Sequence, residues 1–224
     1  MQSLVIYGAG GFAREVAQLV HDINARQPMW QLQGFLSDDL AQYGTTVGGL
    51  EVLGGRDWLR AQRDTVAVAF GIGSPAIKRR LALALADHDV SFPALRHPSV
   101  IAGDRVSLGR GVILCAGSII TVDVAINDFA AVNLACTVGH DAIVGAYATV
   151  APGVLISGNV TVGEGADVGT GTRIIQGVDV GAWSIVGAGA VVARAIPANT
   201  TAVGIPAKPI KERPDGWHLE PAHD

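Results

Sequence analysis

Counting in sixes from Ala102 meets Leu108, Leu114, Ile120, Ile126, Val132, Val138, Val144, Val150, Ile156, Val162, Val168, Ile174, Val180, Val186 and Val192, an unbroken aliphatic row with no insertion. The next position is Gly at 103, 109, 139, 145, 163, 169, 181 and 187. Four residues after the row stand Ser118, Ala130, Cys136, Ala142, Ala148, Ala166, Thr172, Ser184 and Ala190, all small or β-branched. A hexad period held this long is the mark of a parallel β-helix. Each hexad makes one short strand and one turn, and three hexads close a triangular coil of eighteen residues. The aliphatics then stack inside the prism, each over the one eighteen residues earlier, and neighbouring coils satisfy each other's backbone. About five coils are expected. The glycines that follow the row are expected at the corners, where their conformational freedom lets the chain turn.

Before about residue 95 the pattern is different. Leu4–Tyr7 is an apolar strand running into Gly8-Ala9-Gly10-Gly11. A helix is predicted from Phe12 to about Ala25, with Val16, Leu19, Val20 and Ile23 on one side. Leu32–Leu36 is a second strand, closed by Ser37-Asp38-Asp39, and Gly44–Gly55 reads as loop. Val66–Phe70 is a third strand ending at Gly71-Ile72-Gly73-Ser74. Pro75 opens a helix to about Ala86, and Val90–Leu95 reads as a fourth strand. This βαβ order implies a small parallel sheet, half the size of a full dinucleotide fold. The expected fold class is therefore α/β plus all-β: a small Rossmann-like domain over 1–94, then a parallel β-helix with a C-terminal tail over 95–224.

Composition limits the function. Net charge is −4, so no basic surface points to nucleic acid or anionic membrane. Hydrophobic residues make up 49% but aromatics only 5%, so the core is built of small aliphatics. No run of 18 apolar residues lacks a turn signal, and no signal peptide opens the chain; the cytoplasm is the expected compartment. Cys115 and Cys136 fall at different phases of the repeat and are expected to be small reduced core or turn residues.

The chemistry centres on His140, third in its hexad, at a corner and outside the aliphatic stack. Asp141 follows it directly. Neutral imidazole at such a corner suits a general base that takes a proton from an amine or hydroxyl near pH 7. Eighteen residues on, Gly158 is expected one strand spacing away, its N–H free to approach a carbonyl oxygen. At the other end, Gly8-x-Gly10-Gly11 between strand and helix has the geometry of a phosphate cradle. A nicotinamide dinucleotide, with Asp38 or Asp39 on its ribose, would need a second mononucleotide half, for which the domain is too short. A three-histidine zinc site is not expected either. Of His21, His88, His97, His140, His218 and His223, only His97 and His140 lie in or beside the prism.

The whole chain resembles the sialic-acid-cluster and bacillosamine-pathway sugar acyltransferases, a branch of the hexapeptide acyltransferases. The likeness rests on Tyr7–Glu15, Gly34–Asp39, Gly71–Pro75, Ile77–Arg80, the His140-Asp141 hexad and the tail Val203–Lys208. It implies a left-handed β-helix, an exception to the right-handed crossover rule. It implies acetyl-CoA as co-substrate, no metal, and a homotrimer with active sites between subunits. His140 would be the base, with Asp141 in place of the commoner neighbouring acid. A nucleotide-linked amino sugar, a 4-amino-4,6-dideoxyhexose, would lie on Gly10, Gly11, Phe12, Ser37, Asp38, Asp39 and Gly73. Thr149, Gly158 and Lys208 would contact the cofactor, Lys208 through a CoA phosphate. Two positions depart from the family pattern: Phe12 and Thr149 each stand where a His is common. Sugar O-acetylation, as on a sialic acid, is the alternative on the same machinery, and a non-catalytic β-helix scaffold is the alternative of another class. In the tail, Pro206 and Pro209 are expected to prevent a further strand, and the Trp183 and Trp217 regions to cover edges of the prism.

Overall fold

The computed structural model describes residues 1–62 and 65–219. Its N-terminal domain holds strands β1 (Gln2–Tyr7), β2 (Trp30–Leu36), β3 (Thr46–Val47), β4 (Leu50–Gly54), β5 (Val66–Phe70) and β6 (Val90–Ser91) in the order β3-β4-β2-β1-β5-β6. Helices α1 (Gly11–Arg26), α2 (Arg56–Arg60) and α3 (Pro75–Ala84) connect them. The segment read as loop contains β3 and β4. They form a hairpin whose second strand extends the sheet by pairing parallel to β2. Glycines at 44, 48, 49, 54 and 55 crowd this stretch and hide its strand pattern. The fourth strand also differs from expectation. The sheet keeps only Val90–Ser91, and Pro93 breaks the run. Leu95–Arg96 already belongs to the prism, pairing with Ile113–Leu114 eighteen residues later.

Beyond it the chain winds into a left-handed β-helix of three parallel faces. The first face carries Leu95–Arg96, Ile113–Leu114, Ala131–Val132, Thr149–Val150, Asp167–Val168, Ile185–Val186 and Thr200–Val203. The second carries Ile101–Ala102, Ile119–Ile120, Thr137–Val138, Leu155–Ile156, Arg173–Ile174 and Val191–Val192. The third runs from Ser107–Leu108 through Ala125–Ile126 and Ile143–Val144 to Thr161–Val162. The ladder keeps an offset of eighteen, as in Thr137↔Leu155, until the last coil, where Ile185 pairs with Thr201. From Leu114 onward every member of the aliphatic row is buried, and so are the small residues four places on. Full burial of each Val, Ile or Leu is worth about 1.5–3 kcal/mol, so the repeat is its own core.

The row glycines act otherwise than expected. None of the eight has a positive φ. The left-handed residue of each turn lies two places later, and there it is often not glycine: Asp123, Phe129, Ala135, Asp141, Tyr147 and Asn159 all have φ between 54° and 61°. Lack of a Cβ matters at the row glycines because the next coil is so near. A Cβ on Gly139 would lie 2.5 Å from the Gly158 nitrogen, and one on Gly145 2.5 Å from the Glu164 nitrogen.

The N-terminal domain rests on the first face. α1 packs Ala13, Val16 and Leu19 into a cluster with Leu95, Ile113, Cys115 and Ala131. On the other side Phe129 stacks on Phe70 and Tyr147, at 5.0 and 5.6 Å between centroids. Both cysteines are buried and free, and burial pushes the Cys115 thiol up to about 12. At the far end, Lys208–Glu212 forms an antiparallel strand beside Thr200–Val203, contrary to the expectation that the prolines would forbid one. Pro209 is tolerated because the strand is an edge and needs no donor there. The tail then returns to lay His218 on Trp183, with ring centroids 3.6 Å apart.

Candidate active site

His140 and Asp141 occupy the corner between the second and third faces. Asp141 takes the left-handed conformation that rounds this corner, with φ 58°, which an Asp accepts more readily than a bulky residue. The turn brings its Oδ2 to 2.7 Å from His140 Nδ1. Both side chains are more than half exposed, at 51% and 61%. The other ring nitrogen looks across to the next coil: a Cβ on Gly158 would collide with His140 Nε2. Glycine at 158 is thus what admits the ring. The main chains are locked together there, the Asn159 N–H donating to the His140 carbonyl at 2.7 Å. A carboxylate on Nδ1 fixes the tautomer that leaves the Nε2 lone pair available.

A second cluster lies where the strands of the N-terminal sheet end. Gly10 caps α1 at its N-terminus, and a Cβ on Gly10 or Gly73 would meet nothing within 4 Å. At Gly11 the nearest atom would be Arg14 Nη2 at 3.9 Å. These three glycines border space that none of the described residues fills. Gly8 and Gly71, by contrast, are needed internally. Cβ atoms there would stand 2.8 Å from the Gly71 carbonyl oxygen and 2.5 Å from Ala13 Cα respectively. Asp38 Oδ1 accepts a 2.5 Å hydrogen bond from the Tyr7 hydroxyl and lies 3.4 Å from Arg56 Nε. Burial, then the Asp38 carboxylate, pushes the Tyr7 phenol well above its ordinary value. Asp39 caps a short turn by accepting from the Ala41 N–H at 3.0 Å, and Ser37 Oγ accepts from the Asp39 N–H at 3.1 Å. Phe12 is half-buried against the α1 cluster.

The remaining positions are spread over the prism. Lys208 is exposed at the start of the edge strand, directly after the turn that contains the cis Ile205–Pro206 bond. Thr149 stands on the first face, on a different side of the prism from His140. Its hydroxyl accepts from the Lys78 ammonium and donates to the Gly73 carbonyl. Lys78 stands in the Ile77–Arg80 motif, but nothing in the sequence assigns it a role of its own. The available signal was its place on the buried stripe of α3, three residues before Leu81. A cavity of about 590 Å³ opens between the start of α3, the Trp183 corner and the tail, away from His140. Among the described residues no group of three or more His, Cys, Asp or Glu could hold a metal ion, and no helix is long and apolar enough to cross a membrane.

Residues 3–85 match the family described as the PglD N-terminal domain. Over 154 residues the chain is 32% identical to GDP-perosamine N-acetyltransferase of Escherichia coli O157:H7; the match covers 66% of each, so the chain spans about two thirds of that curated relative. PerB from Caulobacter crescentus, solved in complex with CoA and GDP-perosamine, superposes with a TM-score of 0.85 at 34% identity, over 94% of this chain and 98% of PerB. WeeI from Acinetobacter baumannii AYE gives 0.85 at 31%, over 94% of this chain and all of WeeI. The fold, a sheet-bearing domain set on a hexapeptide prism, is therefore shared over 94% of this chain with both solved proteins. The chain belongs to the hexapeptide-repeat sugar acyltransferase family and is an enzyme of that class.

Proposed function

We propose that the protein transfers the acetyl group of acetyl-CoA to the amine of a nucleotide-linked amino sugar. The expected sugar is a 4-amino-4,6-dideoxyhexose, carried on GDP as in the perosamine substrate named for its relatives. The observation that carries this is the His140 ring, held by Asp141 on Nδ1 with Nε2 facing the next coil at Gly158. As the amine attacks the thioester carbonyl, Nε2 takes its proton. Negative charge gathers on the carbonyl oxygen, and the Gly158 N–H is the donor nearest to meet it. Collapse of the tetrahedral intermediate forms the amide and expels the CoA thiolate, which the imidazolium reprotonates. No covalent enzyme intermediate is needed, and both cysteines are buried, with their thiols pushed up by burial.

The sugar's pyrophosphate belongs at Gly10, Gly11 and Gly73, where open space meets the N-terminus of α1. Lys208 is the cation for a CoA phosphate. The cytoplasm supplies both substrates. The second face presents Ile101, Ile119 and Leu155, each at least 40% exposed and in ladder register around Thr137. An apolar stripe of this kind, bordering the His140 corner, fits a homotrimer whose active sites lie between prisms. Light scattering should give about 69 kDa, three times the chain mass of 23.1 kDa. A stable monomer would remove the shared site.

The test of function is thiol release from acetyl-CoA with GDP-, UDP- and dTDP-linked amino sugars, with the product identified by mass. Release with the amino sugar but not its hydroxyl counterpart supports N-acetylation. Turnover of hydroxyl sugars alone would assign O-acetylation, and no turnover with any acceptor would refute the reading.

A further inference from the structure

Helix α3 buries a stripe of Lys78, Leu81 and Leu85, the last just past its end. Lys78 is 1% exposed, an unusual place for an ammonium group. It points out of the N-terminal domain into the prism, donating to the Ala148 carbonyl at 3.1 Å and to Thr149 Oγ1 at 2.9 Å. The Thr149 hydroxyl in turn donates to the Gly73 carbonyl at 2.6 Å. Asp167, next to Thr149 along the first face, is the carboxylate that bears on the ammonium. Burial still dominates and lowers the Lys78 pKa to about 7. A methionine would fill the same space without that desolvation cost, so the interactions of the ammonium call for a reason.

The reason lies at the far end of the chain of hydrogen bonds. Gly73 belongs to the loop between β5 and α3, one wall of the open space at the ends of the strands. That loop also fixes the other wall, because Gly71 rests against Ala13 of α1 and its carbonyl against Gly8. A displaced Gly73 would carry the glycine loop with it. We propose that Lys78 is a positioning residue: through Thr149 it pins the Gly71–Ser74 loop to the prism, and so sets where the nucleotide sugar is presented along the first face. This rests on the reading of those loops as the nucleotide site.

The variants are Lys78→Met, Thr149→Val, the double variant and Thr149→Ser, each with KM for both substrates, kcat and Tm. Lys78→Met and Thr149→Val should each raise the KM for the nucleotide sugar about tenfold, equivalent to about 1.4 kcal/mol, and leave that for acetyl-CoA in place. Thr149→Ser, which keeps the hydroxyl, should restore most of the affinity. The double variant should be no worse than Lys78→Met, since the two groups act in series. Folded Lys78→Met and Thr149→Val proteins with lowered Tm but unchanged KM values would make the pair a strut of the fold and overturn the proposal. A rise in the acetyl-CoA KM instead would return Thr149 to the cofactor and overturn it too. If Lys78→Met does not fold, Thr149→Val decides. GDP binding by calorimetry separates the two readings. Wild type that binds GDP, or whichever of UDP and dTDP it takes in its place, more tightly than Thr149→Val supports the pin even without turnover, equal affinities overturn it, and wild type that binds none of the three removes both.

Discussion

In the prism, a Cβ placed on Gly139, Gly145 or Gly163 would come within 2.5 Å of the next coil's main chain, whereas on Gly10 or Gly73 it would meet nothing within 4 Å. The first set is required by the protein itself: coils stacked one strand spacing apart leave no room at the corners. The second set is not explained by anything the chain packs there. A glycine without an internal reason, at the end of a parallel strand and the start of a helix, marks a place kept clear for something else to approach the backbone. Under the proposed function the two regions divide the work: the prism would carry the chemistry at His140, and the N-terminal sheet the open cradle.

The largest expected effect breaks the chemistry while sparing the cradle. His140→Ala should lose about 10²–10⁴-fold in kcat with nucleotide-sugar and CoA binding little changed, measured by steady-state kinetics and calorimetry. Asp141→Asn should fall between it and wild type, because in the proposed mechanism Asp141, 2.7 Å from Nδ1, orients the ring and does not carry the proton. Wild-type turnover in His140→Ala would separate the prism corner from catalysis.

Glycine substitutions sharpen the division next. Gly11→Val should weaken nucleotide-sugar binding about tenfold or more, with Tm and acetyl-CoA affinity nearly unmoved. Gly163→Ala should do the reverse, costing about 1–3 kcal/mol of stability by overpacking, since its Cβ would stand 2.5 Å from the Ala182 nitrogen. Equal effects of both on stability would erase the distinction.

The joint between the regions should show in the pH dependence of stability. Lys78 titrates near 7 in the folded chain against an ordinary 10.5. Between those values the unfolded chain holds more protons, so this group makes stability rise with pH from about 7 to about 10. Asp167, raised by burial, acts at lower pH, where its contribution falls as pH climbs through its folded value. Denaturant midpoints should therefore rise from about pH 7 to about 9 in wild type. Above that the Cys115 and Cys136 thiols, raised by burial, act with the opposite sign. The rise below about pH 9 should flatten in Lys78→Met; the same slope in both would contradict the burial of an ionisable lysine. The smallest effect is Lys208→Ala, expected to raise the acetyl-CoA KM a few-fold, on the order of one surface charge pair, with the sugar KM constant.

The sequence alone determined the prism almost to the residue. A period of six leaves no other register for the aliphatic row, and the offset of eighteen is enough to put Gly158 beside His140. In the N-terminal sheet, Leu4–Tyr7, the α1 stripe and Val66–Phe70 were equally legible, because burial on one or both faces writes itself as apolar spacing. Strand β4 was not, since glycines at its ends read as loop and only pairing with β2 makes it a strand. Tertiary structure also decided why the row glycines are glycine, because a clash with the next coil has no local signature. It decided that Pro209 may sit in a strand, because edge position is a property of the whole sheet. Above all it decided Lys78, Thr149 and Gly73. A lysine on a helix reads as solvated surface until the partner surface seventy residues away removes the water and supplies the acceptors.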